Sequence, residues 1–174
     1  MRIYKAYGKE EYEELQFVNY DEDIEMLNLL LEDSPVYDKW ITPQVEVITK
    51  GKKSDSPFLW VDTRTLVVSE KAKSELKDIW IEDNIELLPI KCNQDIYYLV
   101  HIMNTEHISY EFTDNGIKFN EDECIKQNIK NKYLFKAYIC GKFKDKSVFI
   151  NEKFIERVNK TDLKGFGFKM EWQS

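Results

Sequence analysis

The sequence holds 174 residues, 43% of them hydrophobic, with ten Tyr and ten Phe; this composition excludes a disordered chain and suffices for one domain with a real core. Its 25 Lys and Arg stand against 32 Asp and Glu, a formal charge of −7, which speaks against nucleic-acid binding and fits either ordinary solubility or a basic partner. No run approaches about 18 uninterrupted apolar residues, and Met1-Arg2-Ile3-Tyr4-Lys5 lacks the apolar segment of a secretory signal, so the expected compartment is the cytoplasm, without membrane contact.

In chain order, Ile3 to Tyr7 reads as a strand and Glu10 to Leu15 as a short acidic helix or loop. Asp21-Glu22-Asp23 then precede Ile24, Leu27, Leu30 and Leu31, whose spacing predicts a helix with its acids at the favourable end and Ser34-Pro35 as its breaker. Val45 to Ile48 alternates like a strand, and the polar stretch Lys50 to Pro57 reads as a linker. Residues 1–56 are therefore expected to form an N-terminal lobe, separate from 57–174 or part of the same domain.

Beyond that join, Pro57 to Val61 and Thr65 to Val68 read as strands on either side of Asp62-Thr63-Arg64. Ser69 caps a helix carrying Ala72, Leu76 and Ile79, and Ile85 to Ile90 with Ile96 to Met103 flank a hairpin turn. Asp114-Asn115-Gly116 is a strong signal for a second tight turn, and Glu121 to Lys130 reads as a short helix. Tyr133 to Cys140 and Ser147 to Ile150 should pair. Asn151 then caps a helix with Phe154, Ile155 and Val158 on one face, and Gly165 stops or turns the chain. Phe166, Phe168, Met170 and Trp172 follow with the period of a half-buried strand. Ser69-Glu70-Lys71 and Asn151-Glu152-Lys153 look like one capping device used twice. The fold class expected is α+β: a largely antiparallel sheet of hairpins, a few short helices, and a strand-helix-strand unit at the C-terminus.

Chemistry-bearing motifs are scarce. His101 and His107 come without a metal-binding spacing, and His101 shares its strand face with Leu99 and Met103, which favours a hydrogen-bonded structural role. Cys92, Cys124 and Cys140, odd in number and far apart, are expected as reduced, buried thiols. Neither Gly51-Lys52-Lys53-Ser54 nor Gly165-Phe166-Gly167 completes a phosphate-binding loop. The expectation is therefore no catalytic residue, no cofactor and no metal.

Three segments carry a resemblance. They are Leu66-Val67-Val68-Ser69-Glu70-Lys71-Ala72; then Ile85 to Ile90 followed by Tyr97-Tyr98-Leu99-Val100-His101-Ile102-Met103-Asn104; and Val148 to Phe154 with Leu163-Lys164-Gly165-Phe166-Gly167-Phe168. Spanning about residues 57–172, they resemble the eleventh family of bacterial immunity proteins, the Myxococcus-type immunity domain. After the tyrosine-rich strand, Asn104 to Ser109 departs from the acid and serine of that family. The resemblance implies a protein that neutralises a cognate polymorphic toxin by binding, without catalysis. Acids suit a basic toxin through charge complementarity, so Asp21, Glu22, Asp23, Glu82, Asp83 and Glu86 are the candidate contacts. The alternative is a small ligand-binding domain or enzyme whose pocket is lined by some of the many Tyr and Phe. Oligomeric state is not legible in the sequence.

Overall fold

The computed structural model describes residues 1–61 and 64–174; the strand connection expected at Asp62-Thr63-Arg64 falls largely outside them. Two mixed sheets and several short helices give an α+β architecture in which antiparallel pairing dominates. The first sheet contains β1 (Arg2–Ala6), β8 (Thr105–Thr113), β9 (Gly116–Phe119), β10 (Leu134–Ile139), β11 (Phe143–Lys144), β12 (Phe149–Asn151) and β13 (Phe168–Gln173). Its order is β13-β1-β12-β10-β8-β9, with β11 paired to β10. The second contains β2 (Glu14–Phe17), β3 (Gln44–Thr49), β4 (Phe58–Trp60), β5 (Val67–Ser69), β6 (Ile85–Cys92) and β7 (Asp95–Ile102), in the order β4-β2-β3-β6-β7-β5. Parallel pairing occurs between β8 and β10, β2 and β4, and β3 and β6.

Three bodies of apolar side chains hold these layers. The first sheet curls so that Phe119 on β9 and Trp172 on β13 bring their ring centroids to 5.6 Å, and Tyr110, Phe135 and Phe149 fill the space inside. A second core lies where both sheets meet α2 (Glu70–Glu75), α3 (Lys77–Glu82) and α5 (Glu152–Asn159). There Val68, Val100 and Ile102 of one sheet and Leu134 and Ile150 of the other pack with Leu76, Ile79, Phe154 and Val158. The opposite face of the second sheet presents Leu15, Phe17, Val45, Leu88 and Leu99, covered by Leu27, Leu30 and Val36.

The closing unit has the expected strand, helix and strand, but β1 lies between β12 and β13 and runs antiparallel to both. Residues 1–56, expected as a lobe, thus supply β1 to the first sheet and β2 and β3 to the second. Both capping residues act: Ser69 Oγ accepts from Ala72 N at 3.1 Å, and Asn151 Oδ1 accepts from Lys153 N at 3.4 Å. Asn151 also donates through Nδ2 to the Ile129 carbonyl at 2.7 Å, so this buried side chain is used at both ends. The tight turn expected at Asp114-Asn115-Gly116 joins β8 to β9, with Gly116 at φ +109°.

Several local expectations are corrected. The helix or loop expected at Glu10 to Leu15 is a turn and loop as far as Glu13, and from Glu14 it gives way to β2, where Leu15 and Phe17 alternate inward. The helix expected after Asp23 is a single α-turn, α1 (Tyr20–Asp23), continued as a 3₁₀ helix over Ile24–Leu31. The helix through Ala72 to Ile79 divides at Leu76 into α2 and α3. That of Glu121 to Lys130 stops as α4 (Glu121–Lys126), because Asn128 turns left-handed, and a 3₁₀ turn follows at Ile129–Asn131. A register shift in the β1–β13 ladder, where Ile3 faces Trp172 but Tyr4 faces Met170, turns Met170 outward to 51% exposure. The stretch read as a linker is exposed from Lys50 to Lys53 but packed in its second half. Ser54 and Ser56 are buried, and Gly165, at φ +84°, lies so close to Ser54 that a β-carbon there would clash. Of the three free cysteines Cys92 and Cys124 are buried, whereas Cys140 is exposed in the turn after β10.

Candidate partner-binding surface

The acids Asp21, Glu22 and Asp23 belong to a segment whose two ends are treated differently. Its carbonyl end docks into a cluster of cations between the sheets. Lys136, 2% exposed on β10, donates from Nζ to the carbonyls of Leu30 at 2.8 Å and Glu32 at 3.2 Å. Both ring nitrogens of His101 face acceptors: Nε2 the Glu32 carbonyl at 3.0 Å, and Nδ1 the Glu86 carboxylate at 2.9 Å. Lys144 reaches the Leu31 carbonyl at 3.4 Å and pairs with Asp33, which also accepts from Thr105 Oγ1 at 2.6 Å. The last carbonyls of a helix lack intrahelical partners and carry partial negative charge, so cations belong there. Glu86 completes the attachment by accepting from the amides of Val36 at 2.9 Å and Tyr37 at 3.0 Å.

Burial pulls the Lys136 ammonium down to about 8, partly countered by the Asp33 charge. Burial works against ionisation of Asp33 too, but hydrogen bonds from Lys144 and Thr105 and the charge on Lys136 hold its carboxyl below the usual range. Both values move downward: burial disfavours the charge on Lys136, whereas hydrogen bonds and the neighbouring lysines favour the charge on Asp33, which itself lies exposed at the edge of the cluster.

The amide end is built the other way. Asp21 and Glu22 are exposed, Asp23 is half-buried, and Glu25 follows, exposed, one residue into the 3₁₀ helix. Among the described residues none of these four lies within ion-pair distance of a cation. Asp23 Oδ2 is buried without a hydrogen-bond partner among the described residues, and burial, then the neighbouring Glu22, raise its carboxyl pKa. Acids at this end are favoured by the helix dipole, so the segment tolerates their mutual repulsion.

The other three candidate acids are engaged within the fold. Glu82 pairs with Lys153 at 2.8 Å. Asp83 accepts from the amides of Tyr133 and Leu134, both at 2.8 Å, while burial raises its pKa against those bonds. Glu86 is committed to His101 and the Val36–Tyr37 backbone. The two groups of acids do not converge: Glu86 grips the chain just after the 3₁₀ helix that Asp21 to Asp23 precede, and eight 3₁₀ residues span about 16 Å.

Exposed apolar groups flank the free acids. Val18, 51% exposed, is tied to β3 by its amide, which donates to the Gln44 carbonyl at 3.0 Å; Ile41, 73% exposed, lies against Met26, with its amide 3.3 Å from Sδ. Elsewhere, an open recess of about 680 Å³ is lined largely by polar residues, among them Ser109, Lys118, Asn120 and Asp122, with Cys140 at its edge. The aromatic residues of the first sheet pack against one another in its interior. No group of three or more His, Cys, Asp or Glu side chains able to hold a metal occurs among the described residues. No helix among them is long and apolar enough to cross a membrane.

Sequence reasoning singled out the acids but not the cations that position them. Lys136 had a usable signal: in Leu134-Phe135-Lys136-Ala137 it is a charged residue in an otherwise apolar run. No protein-family model matches the chain, and no curated protein matches it.

Proposed function

We propose that the chain is an immunity protein that neutralises a cognate bacterial toxin by binding it, without catalysis, and that Asp21, Glu22 and Asp23 supply its electrostatic contact with a basic toxin. The observation that carries this reading is the contrast within one segment. Its carbonyl end is anchored by Lys136, Lys144 and His101, while its acidic end is left without counter-charges among the described residues. A fixed, uncompensated negative surface flanked by Val18 and Ile41 suits an inhibitor: charge speeds encounter, and apolar groups retain the partner. The resemblance of residues 57–172 to the eleventh immunity family supports the same class of function. Glu82, Asp83 and Glu86 take structural roles in this reading.

The test is co-expression with a toxin domain sought in the gene adjacent to that of this chain. Wild-type chain is expected to restore growth and to elute with the toxin as an equimolar complex. Asp21→Lys/Glu22→Lys, folded by circular dichroism, is expected to lose both. Killing that proceeds unchanged beside soluble wild-type chain, with no complex formed, would refute the proposal.

A further inference from the structure

Where β4, β2 and β3 form the end of the second sheet, one face is covered by apolar packing, and the other is closed at Phe58, 6% exposed beneath Tyr7 and the Arg64 guanidinium, but open around Trp60. Leu15, Phe17, Val45 and Leu59 point into the core, whereas the opposite face carries Glu14, Gln16, Glu46, Thr49 and Trp60. Trp60, 50% exposed, lies directly across from Gln16, which lies directly across from Glu46. At ordinary strand spacing the row measures about 10 Å.

The indole is held in place. Its Nε1 donates to Glu14 Oε2 at 3.0 Å, and Phe58 meets the ring edge-on at a centroid distance of 5.2 Å. Thr49 Oγ1 donates to the same Glu14 oxygen at 3.0 Å, and Gln16 Nε2 donates to Glu46 Oε1 at 2.8 Å. The side-chain donors to these two carboxylates, Trp60, Thr49 and Gln16, are all neutral, and neither carboxylate lies within ion-pair distance of a cation among the described residues. The face therefore combines a fixed aromatic plane with two carboxylates that form no ion pair among the described residues; Arg64 is turned to the Phe58 ring instead. Val18, two residues beyond Gln16, continues it toward Asp21 and Glu22.

We propose that this face receives an arginine side chain of the partner protein, its guanidinium stacked on Trp60 and shared between Glu14 and Glu46. The inference rests on the partner-binding reading above and extends it from the acidic turn to a defined pocket chemistry. A planar guanidinium combines a stacking surface with N–H donors for both carboxylates, and Trp is the best aromatic for such a contact. A sugar ring could stack on the same indole but would leave both charges uncompensated.

The experiment uses the full chain labelled with 5-fluorotryptophan, the Trp60 ¹⁹F resonance being assigned by Trp60→Phe. The probes are a blocked Arg-Gly-Arg peptide, the same peptide with citrulline for arginine, and a neutral trisaccharide. The arginine peptide is expected to move the Trp60 resonance at millimolar concentration. Citrulline in the peptide, or Glu14→Gln in the protein, is expected to weaken the response at least about fivefold. The resonances of Trp40, Trp80 and Trp172 report whether the variant is folded. No movement with the arginine peptide, equal movement with citrulline, or movement with the trisaccharide alone would overturn the proposal. The peptide takes the place of the toxin, so the two readings fail separately. A null result here leaves rescue by the acidic turn intact, and failed rescue with a retained peptide response removes the toxin but keeps the arginine site.

Discussion

The two ends of residues 20–33 form a natural experiment in electrostatics. At one end Lys136, Lys144 and His101 meet the carbonyls of Leu30, Leu31 and Glu32, Asp33 pairs with both lysines, and Glu86 meets the His101 ring. At the other, Asp21, Glu22, Asp23 and Glu25 share one turn of helix and its continuation without a cation in range among the described residues. Both ends obey the same helix dipole, but only the first is compensated by side chains of the fold. Structural charge is matched internally, whereas the charge proposed to meet a partner remains open; in this segment the two occur within about a dozen residues.

The comparison predicts unequal responses to substitution. Lys136→Ala removes donors from two carbonyls and a counter-charge from Asp33 inside the protein, so it is expected to cost about 2–4 kcal/mol of unfolding free energy in urea titration. A loss below about 0.5 kcal/mol would mean that this end is not the anchor.

A second consequence concerns pH. An ammonium whose folded pKa is about 8, against 10.5 when free, penalises the fold while it stays charged. That penalty is fully present below pH 8 and is withdrawn as pH rises to about 10.5, so this group makes the protein more stable over that window, by roughly 3 kcal/mol. Cys124, pushed up to about 12, and the buried Tyr97 and Tyr110, also raised, act oppositely above about pH 9. Lys136 is therefore isolated by subtraction. The stability of wild type minus that of Lys136→Met is expected to climb between pH 8 and 10, and a flat difference would remove Lys136 as a titrating member of the cluster.

Local features were legible in the sequence because local chemistry sets them. Ser69 and Asn151 announce their helices, and Asp114-Asn115-Gly116 its hairpin. The insertion of β1 between β12 and β13 was not legible, since a pairing across some 150 residues leaves no periodic trace. Parallel contacts such as β2 with β4 were missed for the same reason. At the candidate surface the acids were visible as a run, but which of them remain free depends on tertiary partners: Glu82 on Lys153, Asp83 on two amides, Glu86 on His101. Trp60 stood in a predicted strand, with nothing in its neighbours to show that its side of the sheet would remain uncovered.

The most direct measurement is the salt dependence of the association rate between the purified chain and the toxin proposed as its partner, for wild type and for Asp21→Asn/Glu22→Gln. These substitutions lie on the open end and are expected to change folding stability by less than about 0.5 kcal/mol. The wild-type rate is expected to fall steeply as ionic strength rises, and the variant to associate about tenfold more slowly at low salt with a shallower slope. Identical rates and slopes for the two proteins would contradict the claim that the acidic end is the docking charge.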